Sequence, residues 1–297
     1  MTRRSWFRFA LQTRGSVIPA IWPRTLVCGV LAELIAVMFA LGLPVHMPGL
    51  VTIIPNVVLG LILVFRTNTA YERYWEGRKL WGHLVNTARS LARQIWVTVQ
   101  EQEPGDRPTK IALLHLIVAF AIATKVGLRQ EPINPDELTP LLLAEQLDEL
   151  TQTNHPALKI AVWLGDGLQR GLQRHQIHPY QAQAMQTLIN DLTDALGGCE
   201  RILKTPIPMA YAIHLKQLLL IYCLTLPFQV VQDLGFWTGP VVTLVSFTLF
   251  GIEEIGIEIE NPFGRDPNDL PLDAICQTML VNIEDLIAMT PTCDRTA

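Results

Sequence analysis

Val57, Leu61 and Phe65 recur at i, i+4 and i+8 within PGLVTIIPNVVLGLILVFRTNTAYERYWEGRKLWG, the stretch from Pro48 to Gly82. On a helix they form one stripe of bulky apolar groups about 12 Å long. Such a stripe breaks and makes no bonds. It can line a dry constriction that ions cross when it widens or wets, or it can face lipid or a neighbouring helix. Thr52, Asn56 and Gly60 form a second stripe with the same spacing, small and polar, about 100° round the helix. Small residues let backbones approach, so this second face is expected to pack against another helix.

The remaining candidates for chemistry are few. Glu33 lies inside an apolar segment, where an ionisable group is costly and normally faces the protein interior; a helix-contact role and a functional role are both open. His175 and His178 stand at i, i+3, but the nearest acidic residue is Asp166 and no cysteine completes a metal-ligand set. His115 reads as a core or interface histidine. Haem ligation would need histidines facing each other across membrane helices, whereas His46 and His214 fall at opposite ends of theirs. There is no glycine-rich phosphate loop, nucleophile elbow or HExxH helix, so the chain is not expected to be an enzyme. A secondary transporter would show repeated halves with interrupted helices, and none is evident.

The composition fits a membrane protein with a sizeable aqueous part. Of 297 residues 49% are hydrophobic and 17% charged, and the mean hydropathy is +0.28. That is too apolar for an ordinary soluble domain and too polar to lie wholly in lipid. The net charge of −4 gives no reason to expect nucleic acid. Cys28, Cys199, Cys223, Cys276 and Cys293 have neither metal-type spacing nor an even count, so free thiols are expected.

The elements that must hold the apolar stripe follow from hydropathy and punctuation. MTRRSWFRFALQTRGS has no apolar core leading to a cleavage site; it reads as a basic, aromatic interfacial segment with Arg3, Arg4, Arg8 and Arg14 on the cytosolic side. Four membrane helices are expected at about 18–43, 48–66, 207–230 and 236–257. The link 44–48 carries no Lys or Arg, while Arg66, Arg73, Arg78 and Lys79 follow the second span, which puts both termini inside. The cytosolic part, about 67–205 and 258–297, reads as a helical bundle. Residues 67–100 are expected to form a long amphipathic helix in which Glu76 pairs with Arg73 and Lys79 at i, i+3. The apolar run 111–126 is shorter than a span and reads as a buried bundle helix. Residues 134–153 read as one acidic helix burying Leu141, Leu142, Leu143 and Leu147. Helices at 160–172 and 180–203, and a last one at about 271–289, complete the all-α reading.

FRTNTAYERYWEGRKLWG, preceded by LGLILV, resembles the second membrane helix of the bestrophins, specifically the short prokaryotic ones. Arg14-Gly15-Ser16, the Ile-Pro-x-x-Tyr of residues 207–211 and Asn261-Pro262-Phe263-Gly264 resemble the same family, so the likeness covers nearly the whole chain. It implies a homopentameric ion channel of single-domain subunits in the bacterial inner (plasma) membrane, with the lipid bilayer, inorganic ions and its own copies as partners. Val57, Leu61 and Phe65 fall on the family's hydrophobic neck, and a cytosolic aperture is implied near Gln183. Chloride or bicarbonate is the expected ion. A cation-conducting variant for sodium or potassium is the alternative, suggested by the acidic groups from Glu253 to Asp269. Calcium-activated animal members hold Ca2+ in the turn after the fourth span; the matching positions are Asn261, Asp266 and Asp269, so Ca2+ is a candidate ligand. The diluted acidic run RDPND departs from that pattern. The alternative is a capped turn, with Asn261 ending one helix and Asp269 starting the next.

Overall fold

The computed structural model describes residues 6, 11–47 and 53–289, and among these every regular element is helical. In chain order they are α1 (Ile18–Ala40), α2 (Ile53–Thr98), α3 (Asp106–Arg129), α4 (Pro135–Leu138), α5 (Ala144–Thr151), α6 (Pro156–Gln173), α7 (Pro179–Lys204), α8 (Met209–Leu234), α9 (Thr238–Glu260) and α10 (Leu272–Ala288). A single 3-10 turn, Gly235–Trp237, joins α8 to α9, and Gly235 permits it with a φ of 52°. The chain divides into two compact units, one of residues up to 75 and 205–269, the other of 76–204 and 270 onward. Helix α2, 46 residues and about 70 Å long, contributes to both.

The first unit is built from α1, the upper part of α2, α8 and α9. Its core gathers Ile21, Cys28, Ala32, Leu59, Leu63, Leu215, Leu219, Cys223, Val242 and Phe250. Apolar surroundings give helices little reason to associate through hydrophobicity alone, and α1 and α9 meet through small residues. A methyl group built on Gly29 would lie 2.2 Å from Thr243 Oγ1, and one on Gly239 2.1 Å from Glu33 Oε2. Glu33 therefore has a contact role, its carboxylate lying over the first turn of α9, where the helix dipole favours negative charge. Pro23 and Pro227 lie within α1 and α8.

The second unit is a bundle with a conventional core. Trp81, Leu84, Leu91 and Ile95 of α2 are fully buried, as are Phe120 of α3, Ile160 of α6 and Met185 of α7. Gly167 of α6 lets α3 approach, since a methyl there would meet Leu113 Cδ2 at 2.1 Å. Burial works against the Lys125 ammonium, but hydrogen bonds to Glu137 at 2.7 Å and Asp273 at 2.9 Å outweigh it and raise its pKa. Asp273 is likewise opposed by burial, yet Lys125 and Arg129 hold its carboxyl below the usual range. Burial pushes the Cys199 and Cys276 thiols up to about 12. Cys28, Cys199, Cys223 and Cys276 are free; Cys293 lies outside the described residues, as do Arg3, Arg4 and Arg8.

Several expectations need correction. The run 111–126 is part of a 24-residue helix, long and apolar enough to cross a membrane, yet 78% of its most apolar stretch is buried inside the chain. The acidic stretch 134–153 is two short helices, because Pro140 cannot continue the first. Leu143, in the break between them, is exposed. Glu76 pairs with Arg201 of α7 at 2.5 Å, while Arg73 donates to the carbonyls of Glu260 and Thr205; neither makes the expected pair within the helix.

Candidate functional site

The upper part of α2 has two unlike faces. Leu59 and Leu63, 5% and 3% exposed, enter the core of the first unit, and Arg66, one turn further on, is buried beside them at 3%. On the other side Val57, Leu61 and Phe65 are 61%, 52% and 56% exposed, with Val58 and Val64 flanking them. The three predicted stripe residues thus share one open face, and none is used to hold the subunit together. Asn56 and Gly60 are exposed too, and nothing lies within 4 Å of a methyl built on Gly60. Among the described residues, Asn56 and Gly60 are covered by no helix of the same chain; Leu59 and Leu63 make the contact with the first unit's core. Thr52 lies outside the described residues.

What fixes the rotation of α2 is a clasp that the sequence reading missed. Arg66 Nη2 donates to Glu260 Oε2 at 2.6 Å, and the same carboxylate accepts the backbone N–H of Ile207 at 2.9 Å. Arg73 Nε donates to the Glu260 carbonyl at 3.2 Å, and the Tyr211 hydroxyl donates to the Ile62 carbonyl at 2.9 Å. A buried arginine requires such a partner, because removing it would leave a charge without water or counter-charge. The only local signal was an arginine straight after an apolar run; its partner is 194 residues away in the chain.

The acidic run is engaged by the chain itself. Glu254 meets Arg24 at 2.6 Å; Glu253, buried, lies 3.6 Å from Arg24 and 3.9 Å from Lys216. Glu258 accepts from Asn268 at 2.6 Å, and Glu260 is held by Arg66. These four carboxylates face cations or amides of the same unit rather than an open passage.

In the turn after α9, Asn261 Oδ1 accepts the N–H of Phe263 at 3.4 Å and Asp269 Oδ2 accepts that of Asp266 at 2.8 Å. Asp266 is exposed, and Asn268 ties the turn to the Gly15 carbonyl at 3.4 Å. Calcium wants six to eight oxygens aimed at one point. Here two of the three candidate side chains already serve the turn's own backbone, so the arrangement fits a capped turn better than a cation cage. Asp269 caps the turn rather than the following helix, which starts at Leu272. Gln183 is exposed in the first turns of α7, and its carbonyl accepts from the Thr187 hydroxyl at 3.1 Å. His175, at a φ of 58°, ends α6; His178 Nδ1 accepts the Tyr180 N–H at 3.4 Å. No group of three His, Cys, Asp or Glu able to hold a metal occurs among the described residues. His115 lies 2.9 Å from Glu284.

Long apolar helices, small-residue packing and an uncovered apolar face on α2 together describe a helical integral membrane protein. The chain belongs to the bacterial/fungal bestrophin family, whose family model matches residues 1–285. It is 56% identical over 291 residues to a voltage-dependent anion channel-forming protein of Nostoc sp., covering 98% of this chain and 94% of that one. A protein of the same description from Escherichia coli is 34% identical over 285 residues, covering 95% and 91%. The fold is similar to the crystal structure of a bacterial bestrophin homolog from Klebsiella pneumoniae, with a TM-score of 0.81 at 28% identity over 91% of this chain and 100% of that one.

Proposed function

We propose that this chain is one subunit of a passive anion channel, in which α2 helices from a ring of copies surround a single pore. The observation that carries the reading is the uncovered stripe of Val57, Leu61 and Phe65 on a helix whose opposite face is fully packed. A lone subunit cannot enclose a pore with one helix face; copies arranged about an axis can, and the family resemblance supports five of them. The spans would be α1, the upper part of α2, α8 and α9, while α3 stays in the cytosolic bundle because its apolar surface is already buried.

Ions would pass when the neck widens or wets, and neutral neck residues would set the barrier without choosing ion sign. Anion conduction is supported by the descriptions of the relatives and by the pairing of Glu253 and Glu254 with Arg24 and of Glu260 with Arg66, which offsets part of the acidic charge a cation pathway would use; Glu258, held by the neutral Asn268 amide, keeps its charge. Chloride and bicarbonate are the first ions to try, and the exposed Gln183 is the candidate for a second, cytosolic aperture. Ca2+ is assigned no part in this mechanism.

The test is halide efflux from liposomes containing purified protein. Leu61→Ala with Phe65→Ala should raise flux severalfold while the oligomer elutes unchanged. Equal flux from an intact variant ring would return the stripe to lipid contact or subunit packing.

A further inference from the structure

In the second unit α2 carries a chemistry the conduction reading does not use. Arg78, Gly82, Val85, Asn86 and Arg89 share one side of the helix and, with Trp81 and with Ala274, Ile275 and Thr278 of α10, line an open cavity of about 510 Å3. Arg78 and Arg89 are eleven residues apart, three helical turns, so both guanidinium groups can lean into the same space from its two ends. Gly82 makes room at one end: a methyl there would lie 3.3 Å from Arg78 Nη1.

The wall is almost entirely donor. Neither Arg78 nor Arg89 is in an ion pair among the described residues; Glu76, the closest acid on the helix, is taken by Arg201, and Asp273, just before the α10 wall, by Lys125 and Arg129. No carboxylate lines the cavity. Trp81 is fully buried, and its Nε1–H has no hydrogen-bond partner among the described residues. A buried donor left without an acceptor costs about 1–3 kcal/mol and calls for an explanation. Thr278 already donates its hydroxyl proton to the Ala274 carbonyl at 2.7 Å, leaving its lone pairs and the Asn86 amide as the neutral polar groups.

We propose that this cavity binds a phosphate-bearing small organic molecule. Two uncompensated guanidiniums match the charge of a phosphate monoester, which carries about −1.5 to −2 near neutral pH and offers several acceptor oxygens. The volume exceeds that of the bare anion, and Val85 and Ile275 supply an apolar wall for an organic remainder. This site goes beyond the channel reading: it requires binding, not conduction, and stands or falls separately from ion selectivity.

The experiment uses the full-length oligomer in detergent with phenyl phosphate as the probe, and inorganic phosphate, benzoate and sodium chloride at equal ionic strength as comparisons. Calorimetry should show saturable binding of phenyl phosphate, tighter than inorganic phosphate and benzoate, with a change in tryptophan fluorescence. Arg78→Gln and Arg89→Gln should each weaken it about tenfold or more, and Trp81→Phe, which keeps a ring and removes the donor, should weaken it and abolish the fluorescence change. Unchanged affinity in an assembled Arg78→Gln/Arg89→Gln variant would overturn the proposal, as would equal heats from chloride. So would absence of binding to an intact wild-type oligomer, which would mean that a neighbouring copy fills the cavity.

Discussion

Phe120 and Phe65 lie in strongly apolar stretches of two different helices. Phe120 in α3 is fully buried among its own bundle, whereas Phe65 in α2 keeps more than half its surface open. Apolar character marks a segment that must leave water; it does not mark what will cover it. In α3 the cover comes from the chain itself, chiefly α6, α7 and α10. In the upper part of α2 Leu59, Leu63, Arg66 and Ala70 are buried among the described residues, while Val57, Val58, Leu61, Val64 and Phe65 stay open for lipid or further copies to cover. The same contrast separates a helix that builds the subunit from a surface that builds an assembly.

Substitution at the two phenylalanines should show the largest difference. Phe120→Ala removes a fully buried ring and should cost about 3–5 kcal/mol of unfolding free energy, whereas Phe65→Ala should cost less than about 1. Denaturant titration in detergent measures both; comparable losses would break the contrast. Next in size is the clasp that turns the open face outward. Glu260→Ala leaves the buried Arg66 uncompensated and should cost about 3 kcal/mol, while Arg66→Met combined with Glu260→Gln should recover most of it. Failure of the double variant to recover would mean that the loss does not come from an uncompensated Arg66 charge.

A smaller effect is expected in the bundle, where Asp273 is held by Lys125 and Arg129. Its carboxyl pKa is depressed in the folded chain, so its contribution is complete above the unfolded value near 3.9 and is lost as pH falls through the folded value. Thermal melts should therefore soften below about pH 4, and Asp273→Asn should flatten that part of the profile. The smallest effect should come from calcium. Micromolar Ca2+ should leave the melting temperature unmoved, because Asn261 and Asp269 already serve their own turn. A rise abolished by Asp269→Ala would restore the cation site.

How much was legible in the chain follows from how local each signal is. Most of the helices, among them those at 160–172 and 180–203 and the final one after Pro271, are written in periodicity and punctuation, and the structure has them within a few residues. The stripe of Val57, Leu61 and Phe65 was legible as a common face because i, i+4, i+8 spacing guarantees one. Which face of α2 packs inward was not. Asn56 and Gly60 looked like the contact surface, but Leu59 and Leu63 fill the core, and that depends on partners from α1, α8 and α9. Glu76 had two cations at helical spacing and chose Arg201, 125 residues away, for the same reason. The clasp of Arg66, Glu260, Ile207 and Tyr211 joins three distant segments and has no local signature. Pro140, by contrast, does announce the break that leaves Leu143 exposed, although the leucines on either side of it continue a helical pattern.

The central claim is that the chain forms an anion-selective pore, and the reversal potential of purified oligomer in a planar bilayer under a KCl gradient tests it most directly. The account predicts a shift toward the chloride equilibrium potential. A shift toward the potassium equilibrium potential would contradict it, and would mean that Glu253 and its neighbours are not neutralised in the open assembly.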